Sequence, residues 1–244
     1  MRDLVLVYAA SVYFSPHDQA IQVAQRFVAA GFDAIKVKIG SGVVDDLERV
    51  ASIREAVGPG VRLLVDANGA YDAKTAIALS EQLARYNISW FEEPVPASDL
   101  EGCRAVRQAV RVPIAGGEAL HTRYGFEPWL SGRALDVAMP DVGRCGGLTE
   151  AAAIAAMASA CRITLSPHCW GSSIALAASL QLAAALPHCE VMEFDAHPDP
   201  LRDALIGDQL KPLAGAIPVP DRPGIGVDVR EAALHELAIL AKAG

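Results

Sequence analysis

The sequence predicts an α/β fold: a modified TIM barrel of (β/α)7β type with an irregular C-terminal extension. Three observations carry this. Eight short apolar runs alternate with seven segments of helical period, and that alternation implies a parallel sheet. The length of 244 residues suits one barrel and is too short for a barrel plus a second full domain. Polar and charged residues collect where the strands end, the face on which such barrels build their sites.

The elements follow in order. Leu4–Ala10 is the first strand; its apolar run follows Asp3 and is too short for a signal core. A helix over 18–30 stops at Gly31, and the second strand is Ala34–Ile39. Helix 45–57 ends at Gly58 and leads to strand Arg62–Val65. Helix 72–86 starts at the potential cap Asp72, and strand Ile88–Phe91 follows. Ser98 is the expected cap of helix 99–109, which precedes strand Val112–Ala115. Helix 122–132, strand Leu135–Met139, the Ala-rich helix 147–160 and strand Arg162–Leu165 come next. Helix 172–186 stops at Pro187, and Glu190–Phe194 is the eighth strand. The barrel thus spans 1–200 and the extension 201–244. Residues 207–228 are rich in Gly, Pro and Asp and read as irregular, with a last helix near 229–243.

Hydrophobic residues make up 52% of the chain, enough for a large core, built mostly of Ala, Val, Leu and Ile. A net charge of −8 without a Lys/Arg run argues against nucleic acid or an anionic membrane as partner. The five cysteines form no C-x-x-C pair and read as reduced thiols, so a cytoplasmic location is expected. No uninterrupted apolar stretch is long enough for a membrane span.

Three carboxylates are evenly placed: Asp66, Glu92 and Glu118 lie 26 residues apart, one βα unit each. On neighbouring strands at one height they would repel unless a cation sits between them, and an all-oxygen set favours Mg²⁺, with Mn²⁺ the alternative. The plain alternative is three separate helix caps or surface ion pairs. Glu93 faces away from Glu92 and should pair elsewhere. Lys36 and Lys38 share one strand face, with Ile35, Val37 and Ile39 on the other. If they point inward, each lowers the other's basicity, as a lysine base near neutral pH requires. The alternative is two lysines snorkelling outward, which helices covering the barrel oppose. His168, in L-S-P-H-C-W-G, stands one βα unit after Asp141, and a carboxylate beside an imidazole fixes its tautomer. The other histidines have no such partner.

These residues resemble the mandelate racemase group of the enolase superfamily. The resemblance rests on K-V-K at 36–38, V-D-A-N at 65–68, W-F-E-E-P at 90–94, G-G-E at 116–118, M-P-D-V-G-R-C-G-G at 139–147 and S-P-H at 166–168. The tail I-P-V-P-D-R-P-G-I-G-V matches as well. It implies that Asp66, Glu92 and Glu118 ligate Mg²⁺ and that Lys38 and His168, held by Asp141, are acid/base groups on opposite faces of the substrate. It further implies that Lys36 contacts the substrate carboxylate and that Asn68 and Glu193 bind substrate. The muconate-lactonising branch places a lysine on the sixth strand, and no lysine lies near Asp141.

The implied chemistry is proton abstraction next to a carboxylate through an enediolate, which is the superfamily's known use of lysine or histidine bases with Mg²⁺. Dehydration of a sugar acid is the expected outcome. Racemisation or epimerisation of a 2-hydroxy acid is one alternative. A catalytically impaired barrel, or a scaffold without chemistry, is another; a phosphate-binding barrel would leave the carboxylate trio without a role. A homo-oligomer is expected. The resemblance implies an N-terminal α+β capping domain that this sequence is read as lacking, so an open mouth and slow turnover are expected, with Ile217, Val219 and Ile225 exposed or buried in a neighbouring subunit.

Overall fold

In the computed structural model, which describes residues 2–236, eight parallel strands form the wall expected from the sequence. They are β1 (Leu4–Val12), β2 (Ala34–Lys38), β3 (Arg62–Asp66), β4 (Ile88–Glu92), β5 (Ile114–Gly116), β6 (Val137–Ala138), β7 (Thr164–Leu165) and β8 (Met192–Asp195). The strand order is β7-β6-β5-β4-β3-β2-β1-β8. The two ends of this order meet through a bridge between Leu165 and Cys189 and a bond from the Glu193 N–H to the Pro167 carbonyl at 3.4 Å.

Seven helices run between the strands: α1 (His17–Ala29), α2 (Val43–Val57), α3 (Ala73–Leu83), α4 (Leu100–Ala109), α5 (Thr122–Ser131), α6 (Leu148–Ala160) and α7 (Ser173–Ala185). Asp72 caps α3 through the Thr75 N–H, as its side chain allows. The cap of α4 is Asp99, not Ser98, because the Asp99 carboxylate reaches the Gly102 N–H. Among the described residues, no helix is long and apolar enough to cross a membrane.

The strand alternation separates two environments. Ile35, Val37, Leu63, Val65 and Phe91 point outward into the main core under the helices. Tyr8, Leu64, Trp90, Ala115, Val137 and Met139 form a separate inner cluster. On β2, β3 and β4 the next inward residue is charged, so a charged layer rests on an apolar floor.

Strands β6 and β7 are shorter than expected, β6 starting at Val137 and β7 at Thr164. Beyond them, Pro140 and Pro167 lack the N–H that would continue the ladder. The pairing resumes one residue later as a single bridge between Asp141 and His168.

The extension is more ordered than its composition suggests. Helix α8 (Pro200–Ile206) is capped by Asp199, which accepts from the Leu201 and Arg202 N–H groups. Strand β9 (Ala216–Pro218) pairs antiparallel with the start of β1, Ile217 opposite Val5. The expected exposure of Ile217, Val219 and Ile225 is therefore corrected: Ile217 is buried, and Val219 and Ile225 pack against the main core. Residues 231–236 are helical, and the rest of the helix expected near 229–243 lies outside the described residues.

Candidate active site

Strand register builds one side of the site. Lys38 pairs with Asp66 and Asp66 with Glu92, so three charged side chains stand in one row across β2, β3 and β4. Lys36 lies one inward position lower, and its ammonium is buried. Its Nζ is 2.6 Å from Glu193 Oε1, 2.9 Å from Glu92 Oε1 and 3.5 Å from Asp66 Oδ2. Burial alone would lower the Lys36 pKa; Glu193, Glu92 and Asp66 raise it well above the usual lysine value. Lys36 is thus a buried cation beneath the site, and Lys38 rather than Lys36 lines the mouth cavity.

Lys38 is partly exposed and donates to Asp66 and to Asn68 Oδ1, the latter at 2.6 Å. The Asn68 N–H in turn donates to Asp66 Oδ1 at 3.0 Å. Trp90 Nε1 donates to Glu92 Oε2 at 3.2 Å, which ties the apolar floor to the charged layer. Burial and Asp66 push the Glu92 carboxyl up to about 8.

The other side comes from the loops after β5, β6 and β7. His168 Nδ1 is 2.6 Å from Asp141 Oδ2, and the Gly143 N–H donates to Asp141 Oδ1 at 2.7 Å. His168 Nε2 is 3.1 Å from Glu118 Oε2 and 3.6 Å from Glu193 Oε2. Burial would lower the His168 pKa, but Asp141, Glu193 and Glu118 together raise it. Glu193 spans both sides: it meets Lys36, faces His168 and accepts from the Cys169 N–H at 3.1 Å. Burial opposes its ionisation, but Lys36 and His168 hold it down at about 2.

The evenly spaced trio does not converge. Among the described residues, no three His, Cys, Asp or Glu side chains are grouped closely enough to hold a metal. Asp66 and Glu92 turn to the lysine ammonium groups, and Glu118 turns to His168 and to Arg144 at 3.6 Å. Glu93 faces away from the site beside Cys103, Trp129 and Leu135. It has no side-chain hydrogen-bond partner among the described residues, so the pairing expected for it is absent; burial and Glu118 push its carboxyl up to about 7.

Lys38, Asn68, Glu118, His168 and Glu193 all line one cavity of about 350 Å³ at the strand C-termini. Arg144, Ser11, Tyr13, Phe14 and Trp170 line it too. Sequence reasoning passed over these. Arg144 and Trp170 lay inside quoted motifs, but neither has a spacing partner; Tyr13 and Phe14 sit in a loop without periodicity.

Fold and site together define a barrel whose carboxylate, lysine and histidine groups meet at the C-terminal face. The model of the family described as "Enolase C-terminal domain-like" matches residues 19–233, and the chain belongs to that family. D-galactarolactone cycloisomerase of Agrobacterium fabrum is 40% identical over 227 residues, 90% of this chain and 60% of that protein. Arabinonate dehydratase of Saccharolobus solfataricus is 36% identical over 211 residues, 86% of this chain and 56% of that protein. The crystal structure of 3,6-anhydro-D-galactonate cycloisomerase from Zobellia galactanivorans superposes with a TM-score of 0.91 at 37% identity, covering 96% of this chain and 66% of that one. A racemase from Streptomyces coelicolor with bound magnesium gives 0.87 at 32% identity, covering 97% and 64%. The chain thus spans 60% or less of the length of these two curated relatives.

Proposed function

We propose that this barrel removes the proton next to a substrate carboxylate and then expels the β-hydroxyl, dehydrating a sugar acid. One observation carries the reading: Lys38 and His168, two groups able to take or give a proton, line the same cavity from different strand ends. Lys38 Nζ takes the α-proton, and the electron pair left on carbon forms the enediolate. His168, charged against Asp141, gives the Nε2 proton to the leaving hydroxyl; its raised pKa suits an acid. The C–O bond breaks, water departs and the enol becomes a 2-keto-3-deoxy acid. Lys36 holds Glu92 and Glu193 in place and keeps a positive charge under the developing anion. Asn68 orients Lys38.

The donor set fits a hard divalent cation. Asp66 and Glu92 are buried oxygen donors that crowd each other, and a cation would relieve the burden that burial and Asp66 place on Glu92. With Glu118 turned away from His168 and Arg144, Asp66, Glu92 and Glu118 would hold Mg²⁺, with Mn²⁺ the alternative, and the bound ion would polarise the substrate carboxylate. The magnesium in the Streptomyces racemase supports this choice.

The test is a screen of sugar acids with Mg²⁺ for 2-keto-3-deoxy products. Solvent-deuterium exchange at the α-carbon without such product would turn the reading to racemisation. Neither exchange nor product across the library would refute it.

A further inference from the structure

We propose that Tyr13, Phe14 and Trp170 form a subsite for the ring face of a cyclic sugar acid, so that the site prefers acids closed into a ring beyond the reacting carbon. The proposal rests on the reading above for which end of the substrate meets Lys38 and His168.

The three side chains are 39%, 53% and 62% exposed. Large aromatic faces are scarce in a chain with only 6% aromatic residues, yet these three line one cavity with the acid/base groups. Scattered exposed apolar residues need no explanation; a cluster at the mouth of a polar cavity does.

The rings are also held. The Tyr13 ring lies against the His197 ring with centroids 5.0 Å apart, and His197 Nε2 donates to the Ser11 carbonyl at 2.7 Å. The Arg49 guanidinium stands 5.6 Å over the Phe14 ring. Arg49 itself donates to the carbonyls of Tyr13 at 3.1 Å and Ser15 at 2.7 Å, which fixes the loop carrying both rings. Trp170 lines the same cavity as Tyr13. Side chains supported from behind present flat surfaces without a large ordering cost on binding.

The chemistry of a ring acid suits such a surface. Closing a sugar acid into a lactone or an anhydro ring consumes hydroxyl hydrogen-bonding capacity and gathers C–H groups on a ring face. An open chain carries hydroxyls all round, and pressing them onto aromatic carbon without partners is unfavourable. The cavity volume of about 350 Å³ suits a small ligand of this kind. Two of the proteins similar to this chain are named for a lactone and for an anhydro sugar acid.

The experiment uses the 244-residue chain with Mg²⁺ and two probes, D-galactarolactone and galactarate, its open-chain counterpart. Binding is read by calorimetry and by protection of Trp170 fluorescence from iodide, and turnover by keto-acid formation. Galactarate loses its β-hydroxyl as water, whereas in the lactone the C–O bond that breaks is that of the ring oxygen, so the ring opens to a carboxylate and no water leaves. The lactone should bind about tenfold more tightly, and Trp170→Ala or Phe14→Ala should remove about that factor for the lactone while sparing galactarate. Trp170→Phe should retain most of the preference. Lactone binding with Trp170 protection but no turnover of either acid would support the subsite and count against the proposed reaction for these two acids. Turnover of both acids alike, unchanged in Trp170→Ala, would leave the reaction standing and overturn the subsite. Binding of neither acid overturns the subsite, and the reaction then stands or falls on the library screen. Altered self-association in the variants with unchanged ligand binding would assign the rim to a second copy of the chain and also overturn the subsite.

Discussion

Asp46→Asn should cost the fold about 2–4 kcal/mol, although Asp46 touches nothing in the mouth cavity. Its carboxylate is fully buried and accepts the Gly40 N–H at 2.8 Å, the Ser41 N–H at 3.2 Å and the Tyr71 hydroxyl. One turn along α2, Arg49 is also buried, and its donors go to carbonyls of the loop after β1. Asp46 is the largest charge acting to keep Arg49 ionised against its burial. Hydrogen bonds to a charged group contribute about 1.5–3 kcal/mol each. An amide keeps one acceptor oxygen but turns an NH₂ toward at least one donor, and it leaves the Arg49 charge less compensated. One lost charged bond plus part of that desolvation gives the stated range. Urea unfolding at pH 7, followed by tryptophan fluorescence and far-UV dichroism, measures it. Tyr71→Phe is the internal control: it removes one bond, should cost about 1.5–3 kcal/mol, and should be less than additive with Asp46→Asn because the two share that bond. A parent and Asp46→Asn that agree within about 0.5 kcal/mol would refute the reasoning, since that is the scatter of surface changes.

Glu92→Gln should weaken Mg²⁺ binding in calorimetry, because an amide is a poorer ligand for a hard cation; unchanged affinity would remove Glu92 from the ligand set. With a competent substrate in D₂O, His168→Asn should abolish exchange from one enantiomer and spare the other, and equal losses would show that Lys38 and His168 do not divide the faces. Gly117 has φ +118°, and a Cβ there would lie 2.8 Å from Phe126 Cε1, so Gly117→Ala should cost about 1–3 kcal/mol and lower Tm; an unchanged Tm would mean that Phe126 gives way freely. Glu150 is held down at about 2 by its bonds from Arg123. A depressed carboxylate stabilises fully above its unfolded value and loses that contribution as pH falls through the folded one. Glu150→Gln should therefore be less stable than the parent at pH 7 and converge with it near pH 2; parallel stability curves over that window would contradict the pairing.

Strand and helix periods were legible because burial on a barrel wall leaves a strong alternation, as in Ile35, Val37 and Ile39 against Lys36 and Lys38. The Asp141–His168 pairing was legible for the same reason, since one βα unit brings equivalent positions side by side. What was not legible depends on where side chains turn after leaving the strand. The 26-residue spacing puts Asp66 and Glu92 in register, but Glu118 follows β5 in a loop, and its direction is set by His168 and Arg144. The length of Lys36 is likewise invisible in a pattern: its ammonium climbs one layer to reach Glu92 and Glu193. The Gly/Pro-rich tail hid β9, because a three-residue strand that borrows its pairing from β1 leaves no period of its own.

The pairing of β9 with β1 bears on how the chain is made. Strand β1 has three partners: β2, β8 and β9, the last two reached only through residues from 192 to 218. At about 5–20 residues per second, translation leaves the first strand waiting roughly 10–40 s for its final neighbours. During that interval one edge of an almost wholly apolar strand has no native mate, and loop-closure entropy makes these the slowest contacts to form. The earliest part of the barrel to emerge is thus among the last to be completed, a stage at which a chaperone would find its target in the segment beginning at Leu4.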